Sequence, residues 1–312
     1  MSAYTWAFRD SRVRCRAAVL GFLAAVLTIS LSACVARPAE LPSRPPVSFS
    51  GFAVVGGDSL HYMVAGSGRP VVFLGGSTMD LNQWDDLVEA FSREFLLVRF
   101  DFFGSGESSP LRRRHSSVNV VRALFDRLGI SRAHLVGQSV GGSLALDFAI
   151  AFPERVDALV LVSSAPSGYQ WSPAMLERQA QLARVVQQQG AAGLARDLLD
   201  DPYFAPGAAT RPLLGGRIRA NILSNTGFWK NADSNLLQPL LPPAIQRLER
   251  VRARTLIVIP QLDYPEMFAV ADTLVARIPN ATKAVIPDAG HVVHMERPDA
   301  FNRLVIEFLR GP

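Results

Sequence analysis

Three side chains have the types and order that acyl-transfer chemistry needs. Ser139 stands in Gly137-Gln138-Ser139-Val140-Gly141, Asp263 closes Ile259-Pro260-Gln261-Leu262-Asp263, and His291 closes Asp288-Ala289-Gly290-His291. A serine hydroxyl is a weak nucleophile until a base takes its proton and a third group orients that base. Of the five histidines, only His291 follows a predicted late strand and a loop. His294 lies three residues on, but a metal pair with it would lack a third ligand. His61, His115 and His134 read as surface or strand-packing residues. Asp263 follows a predicted strand and could instead cap a helix starting at Pro265. The other place for an acid, after the strand at Ala158, offers only Ser163 and Ser164. The expected catalytic set is Ser139, Asp263 and His291.

The elements that must hold these side chains can be read around them. Ala133-His134-Leu135-Val136 is a short apolar run ahead of the serine, and Ser143 to Ala149 has helical spacing behind it. A strand, a sharp turn and a helix put the serine on strained backbone at the helix N-terminus, where Gly137, Gly141 and Gly142 give room for close approach. Short apolar runs at Val71–Leu74, Phe95–Phe100, Ala158–Val162, Thr255–Ile259 and Lys283–Ile286 alternate with helical stretches. That alternation predicts a mostly parallel sheet covered on both faces. An opening hairpin precedes it, Phe52–Val55 and Leu60–Val64 around Gly56-Gly57-Asp58. Between about Pro166 and Ala244 the alternation stops. Helical patterns broken by prolines, with no good strand, predict a helical cap over residues 166–244 inserted into a core of residues 49–165 and 245–312.

The first residues read as address rather than fold. Arg9, Arg12, Arg14 and Arg16 precede an apolar run from Ala17 to Leu31, ending in Leu31-Ser32-Ala33-Cys34. Residues 1–33 are expected to be a signal peptide, and a cysteine after small residues resembles the bacterial lipobox, with Cys34 lipidated. Residues 34–48 form a proline-rich tether. The expectation is an exported protein held at a membrane by lipid; the alternative is an uncleaved anchor over Ala17–Ala36. With Cys15 and Cys34 the only cysteines, the mature domain has no disulfide.

Charge narrows the partners. The 312 residues carry 32 basic and 27 acidic side chains, for a net charge of +5, and several arginines sit in the leader. No basic stripe interleaved with aromatics suggests nucleic acid. A small-molecule substrate, no metal or organic cofactor, and a monomer are expected.

Across about residues 50–310 the sequence resembles the α/β-hydrolase family. The resemblance rests on the Gly137–Gly141 elbow, on Asp101-x-x-Gly104-x-Gly106-x-Ser108, and on Gly290-His291 followed by Glu296, Pro298 and Phe301. It implies an eight-stranded sheet flanked by helices, a helical cap and a Ser–Asp–His triad. Where that family usually has His-Gly after the third strand, this chain has Gly75-Gly76. The oxyanion loop is then Gly75 and Gly76, with the backbone N–H groups of Ser77 and Val140 as donors. A serine nucleophile argues against the branches that use a carboxylate there.

Within the cap, Trp171, Phe204, Phe228 and Trp229 are expected to line an apolar pocket, and Arg211, Arg217 and Arg219 are the arginines that could meet a carboxylate. The expected function is a serine hydrolase, carboxylesterase-like, that cleaves an ester-type carbonyl bond of a small apolar substrate through an acyl-enzyme. The alternatives are a C–C bond hydrolase of ring-fission diketones and a lipoprotein of this fold that only binds a ligand.

Overall fold

The computed structural model describes residues 48–225 and 236–311. Eight strands form one sheet: β1 (Ser48–Val55), β2 (Asp58–Gly66), β3 (Arg69–Leu74), β4 (Phe95–Phe100), β5 (Ala133–Gln138), β6 (Val156–Val162), β7 (Arg254–Pro260) and β8 (Ala281–Ile286). Their order is β1-β2-β4-β3-β5-β6-β7-β8. β2 pairs antiparallel with both β1 and β4, and the remaining pairs are parallel. The predicted eight-stranded, mostly parallel sheet is what the chain builds.

Side-chain alternation along the strands sorts the core into two layers. Val72, Leu74 and Leu135 face helices α2 (Ser117–Arg127), α3 (Val140–Ala151) and α6 (Pro265–Arg277). Val71, Phe73 and Val136 face α1 (Asp85–Ser92) and α7 (Pro298–Arg310). Helix α3 is apolar around most of its circumference, with Leu144, Ala145, Leu146, Phe148 and Ala149 all buried. Such a helix needs cover on every side, and it lies against β5 and β6, with α2 packed beside it.

Between β6 and β7 runs a helical insertion with α4 (Pro173–Leu199) and α5 (Pro212–Ser224). Helix α4 runs across a kink at Gly190, whose φ of 64° departs from helix. The expectation of no strand here needs correction, because Leu237–Gln238 pairs in parallel with His115–Ser116. The insertion has its own apolar core of Leu194, Leu198, Phe204, Leu214, Ile218 and Ile222. That core closes over Met79, which follows β3, and over Val292 and Met295, which follow β8. Cys34 and the expected signal and tether lie outside the described residues. Among the described residues no helix is long and apolar enough to cross a membrane.

Candidate active site

Strand β5 is buried along its whole length and delivers Ser139 at the N-cap of α3. Ser139 has φ 53° and ψ −122°, a conformation that costs a non-glycine residue about 1–3 kcal/mol. Hydrogen bonds over-determine it. The Ser139 N–H donates to the Val162 carbonyl at 2.9 Å, and its own carbonyl accepts from the Gly142 N–H at 3.0 Å, the Ser143 N–H at 3.1 Å and the Ser164 hydroxyl at 2.6 Å. The glycines read from sequence are needed sterically. A Cβ on Gly141 would strike the Leu74 and Gly75 carbonyl oxygens, and one on Gly142 would strike the Ser164 side chain.

Asp263 and His291 sit on the loops after β7 and β8, which are laced together by Gln261 N–H to Ile286 O and Leu262 N–H to Ala289 O, both 2.9 Å. His291 Nδ1 lies 2.9 Å from Asp263 Oδ1. The aspartate is not the cap of α6, whose N-cap is Tyr264; its Oδ1 also accepts the Tyr264 N–H at 2.8 Å. With Nδ1–H donated to a carboxylate, the imidazole presents Nε2 as the acceptor. His291 and Ser139 line the same cavity, of about 420 Å³.

Four residues to which the sequence assigned no role fix these loops. Gln138, buried beside the serine, donates from its side-chain amide to the His291 carbonyl at 3.1 Å. The buried Glu296 carboxylate accepts the Gly290 N–H at 2.6 Å and the Gly207 N–H at 2.7 Å, tying the histidine loop to the insertion. Burial pushes that carboxyl above its usual range, against the pull of these N–H donors and of Arg211 and Arg297. The space a side chain at Gly75 would need is filled by Gln83, which accepts the Gly76 N–H at 3.3 Å and donates to the Asp80 carbonyl at 2.8 Å. Asn225, at the end of α5, donates to the Ser77 carbonyl at 2.8 Å and accepts the Ser105 hydroxyl at 2.9 Å. The Gly75–Gly76 loop is thus braced by two buried amides. Ser77 and Val140 both border the cavity, and Val140 N–H is a first-turn donor at the positive end of α3.

The other histidines divide by surroundings. His294 is fully buried with its ring 4.3 Å from Trp84, and burial drives its pKa down to about 3. His134 is buried in β5 with neither ring nitrogen partnered, and burial lowers it to about 4. His61 and His115 are not surface residues, as the sequence allowed, but buried partners of Asp101 and Asp58. Among the described residues no group of three His, Cys, Asp or Glu side chains could hold a metal ion.

The insertion supplies Trp171, Met175, Leu182, Leu198 and Phe204 to the cavity wall. Phe228 and Trp229 lie outside the described residues. None of the three arginines suggested for a carboxylate lines the cavity. Arg211 is held by Glu296, Arg217 pairs with Asp86 at 2.8 Å, and Arg219 is exposed. Among the described residues lining the cavity one is an arginine or lysine, Arg178, and it is spoken for: Nη1 pairs with Asp197 at 2.5 Å and Nη2 with Asp201 at 2.7 Å.

With this geometry in view, the comparisons fit. A family model for the alpha/beta hydrolase fold matches residues 69–298. The chain belongs to the α/β-hydrolase family. It is 30% identical over 265 residues to a 2-hydroxy-6-oxononadienedioate/2-hydroxy-6-oxononatrienedioate hydrolase of Burkholderia vietnamiensis, covering 80% of this chain and 91% of that one. It is also 30% identical over 261 residues to a 2-hydroxy-6-oxo-6-phenylhexa-2,4-dienoate hydrolase of Burkholderia cepacia, with coverage of 80% and 91%. Among solved structures, the enol-lactonase of Burkholderia xenovorans superimposes with a TM-score of 0.73 at 24% identity, over 84% of this chain and all of that one. At that identity the likeness speaks for the fold alone. This α/β hydrolase is a hydrolase by family and by the names of its relatives.

Proposed function

We propose that the chain is a serine hydrolase that cleaves ester-type bonds of small, uncharged substrates through an acyl-enzyme. Ser139 attacks the carbonyl as His291 Nε2 takes its proton, and Asp263 holds the imidazole in that tautomer and stabilises its cation. The N–H groups of Ser77 and Val140 take the developing oxyanion, each worth roughly 3–4 kcal/mol in the transition state. His291 then returns the proton to the leaving group, and water cleaves the acyl-enzyme by the same route. The carrying observation is the His291–Asp263 hydrogen bond on the wall of the cavity that Ser139 enters. The neutral substrate follows from the wall, which is aromatic and aliphatic around a cation already matched by two carboxylates.

The second reading, C–C bond hydrolysis of a ring-fission diketone, is favoured by the names of the two Burkholderia relatives. It uses the same serine and oxyanion donors but a substrate bearing at least one carboxylate. A panel of neutral p-nitrophenyl esters, carboxylate-bearing esters and ring-fission diketones, run on wild type and Ser139→Ala, decides. Neutral esters turned over by wild type and at least about a thousandfold less by Ser139→Ala support the proposal. Activity confined to diketones replaces it with the second reading. For location, the proposal is a lipid-anchored exported protein; lipid on Cys34, lost in Cys34→Ala, is the supporting outcome by mass spectrometry.

A further inference from the structure

A second Ser–His–Asp array stands on the edge of the sheet. Ser50 Oγ lies 2.9 Å from His61 Nε2, and His61 Nδ1 lies 2.7 Å from Asp101 Oδ2. The strands explain the arrangement. Phe52 pairs with His61 across the β1–β2 ladder, and Ser50, two residues along, shares that face as its diagonal neighbour. Asp101 follows β4 and is 2% exposed; its Oδ1 accepts the Leu81 N–H at 2.7 Å and its Oδ2 accepts the Glu107 N–H at 3.1 Å. Two backbone N–H groups aimed at one carboxylate make it an acceptor, so the proton between Asp101 and His61 sits on Nδ1. The neutral imidazole then presents an Nε2 lone pair to Ser50, whose hydroxyl donates to it. His61 is held by packing against Phe52, with ring centroids 5.3 Å apart, and by its backbone N–H donating to the Ser108 hydroxyl at 2.8 Å. Ser108 in turn donates to the Asp101 carbonyl at 2.8 Å. The base and its orienting acid are buried, while Ser50 is exposed on β1, an outer strand.

We propose that Ser50 is a second nucleophile, a covalent modification site that takes an acyl group from activated esters independently of Ser139. In the step, a Ser50 Oγ–acyl bond forms and the ester's acyl–oxygen bond breaks. The hydroxyl proton passes to His61 Nε2 and leaves with the alkoxide or phenoxide. Release is slow, because His61 is 4% exposed and its base nitrogen is covered by the acylated serine, leaving water little access. The array therefore accumulates a stable ester, where Ser139 would turn over.

The test uses the full-length Ser139→Ala protein, so that its outcome does not depend on the reading of Ser139. Incubated with p-nitrophenyl acetate and digested, it should carry one acetyl on the peptide containing Ser50, with the chain's other exposed serines as internal reference. Ser50→Ala in the same background should abolish that adduct. His61→Gln, checked for folding by circular dichroism, should slow it about a hundredfold, the usual contribution of a general base. No acetyl at Ser50, or acetylation there no faster than at the reference serines, overturns the proposal and leaves Ser50 as a cap on a buried imidazole. Should His61→Gln not fold, the comparison of Ser50 with the reference serines decides alone.

Discussion

The side-chain amide of Gln138 donates to the carbonyl of His291 across 3.1 Å, joining the residue before the elbow serine to the residue proposed as its base. The two are 153 positions apart in sequence, Gln138 at the end of β5 and His291 on the loop after β8. Gln138 is buried and does no chemistry of its own. Its bond sets the depth at which the histidine loop rests against β5, and so the reach of Nε2 toward Ser139.

Replacing it tests that coupling. Gln138→Leu keeps the volume roughly constant, removes the donor and leaves the His291 carbonyl without this partner. We expect kcat on a neutral aryl ester to fall about 10- to 100-fold with KM nearly unchanged, since misplacement of about an ångström costs that much. Gln138→Glu, whose carboxylate cannot donate, should share the defect. Steady-state kinetics of the two variants check it; a loss confined to KM would assign Gln138 to substrate binding instead.

Asn225 bears on the loop where the sequence departs from its family. Its Nδ2 donates to the Ser77 carbonyl and its Oδ1 accepts from Ser105, so one amide spans the insertion, the oxyanion loop and the loop after β4. Asn225→Leu should leave both the Ser77 carbonyl and the Ser105 hydroxyl short of a partner. Stability should fall by about 1–3 kcal/mol, read by urea denaturation. Labelling by a fluorophosphonate probe should slow more than ester binding weakens, because the Ser77 N–H acts on the transition state. Equal losses in both would place the effect in folding alone.

How far the sequence carried these points depended on whether a residue's partner was near in sequence. The elbow was legible because its glycines, strand and helix all lie between Ala133 and Ala151 and each has one steric reason to be there. Asp263 could be named as the candidate acid because each strand end offers few carboxylates. The roles of Gln83, Gln138, Asn225 and Glu296 were not legible, because a buried amide or carboxylate gives no pattern until its distant partner is known. His61 and His115 failed in the same way. Their carboxylates, Asp101 and Asp58, are 40 and 57 residues away, and a histidine in an alternating strand looks alike whether it faces solvent or an aspartate.

Burial of His134 makes the stability of the fold depend on pH. Buried with both ring nitrogens unpartnered, it has its pKa lowered to about 4 by desolvation, against about 6.5 in an unfolded chain. Between those values the unfolded state binds a proton that the folded state does not. The contribution is fully present above about pH 6.5 and is lost as pH falls toward 4. Burial shifts His294 in the same direction and Asp147 upward to about 6, which gives the opposite slope over an overlapping range. The difference between wild type and His134→Phe therefore isolates the histidine. The variant should gain stability on wild type as pH falls from about 7 to about 4.5, by up to ~3 kcal/mol. Urea midpoints at the two pH values give the answer, and a constant difference would mean that His134 is already hydrated in the fold.

Charge at the cavity wall bears on which substrates enter. Arg178 stands on the wall, but Asp197 and Asp201 both pair with it, which sets two carboxylates against one guanidinium. Asp201 also accepts the Tyr264 hydroxyl at 3.0 Å, and the Tyr264 ring packs edge-on to His291 with centroids 5.5 Å apart. Burial and the Asp201 carboxylate push that phenol pKa far upward, which keeps it a donor. A substrate carboxylate entering here would meet one arginine already neutralised and one surplus aspartate. Asp201→Asn removes the surplus while its amide oxygen can still accept the Tyr203 N–H. At a separation of about 10 Å and an effective dielectric near 20, one unit charge is worth roughly 1.7 kcal/mol. The kcat/KM ratio of a carboxylate-bearing ester to its neutral analogue should therefore rise at least about tenfold in the variant. The neutral ester alone should change little, since its carbonyl chemistry is handled by Ser139 and His291 and not by this cluster. A ratio that stays fixed while both esters lose activity would show that Asp201 braces Tyr264 and the insertion without selecting substrate charge. Neutral preference would then have to come from the aromatic wall of Trp171 and Phe204.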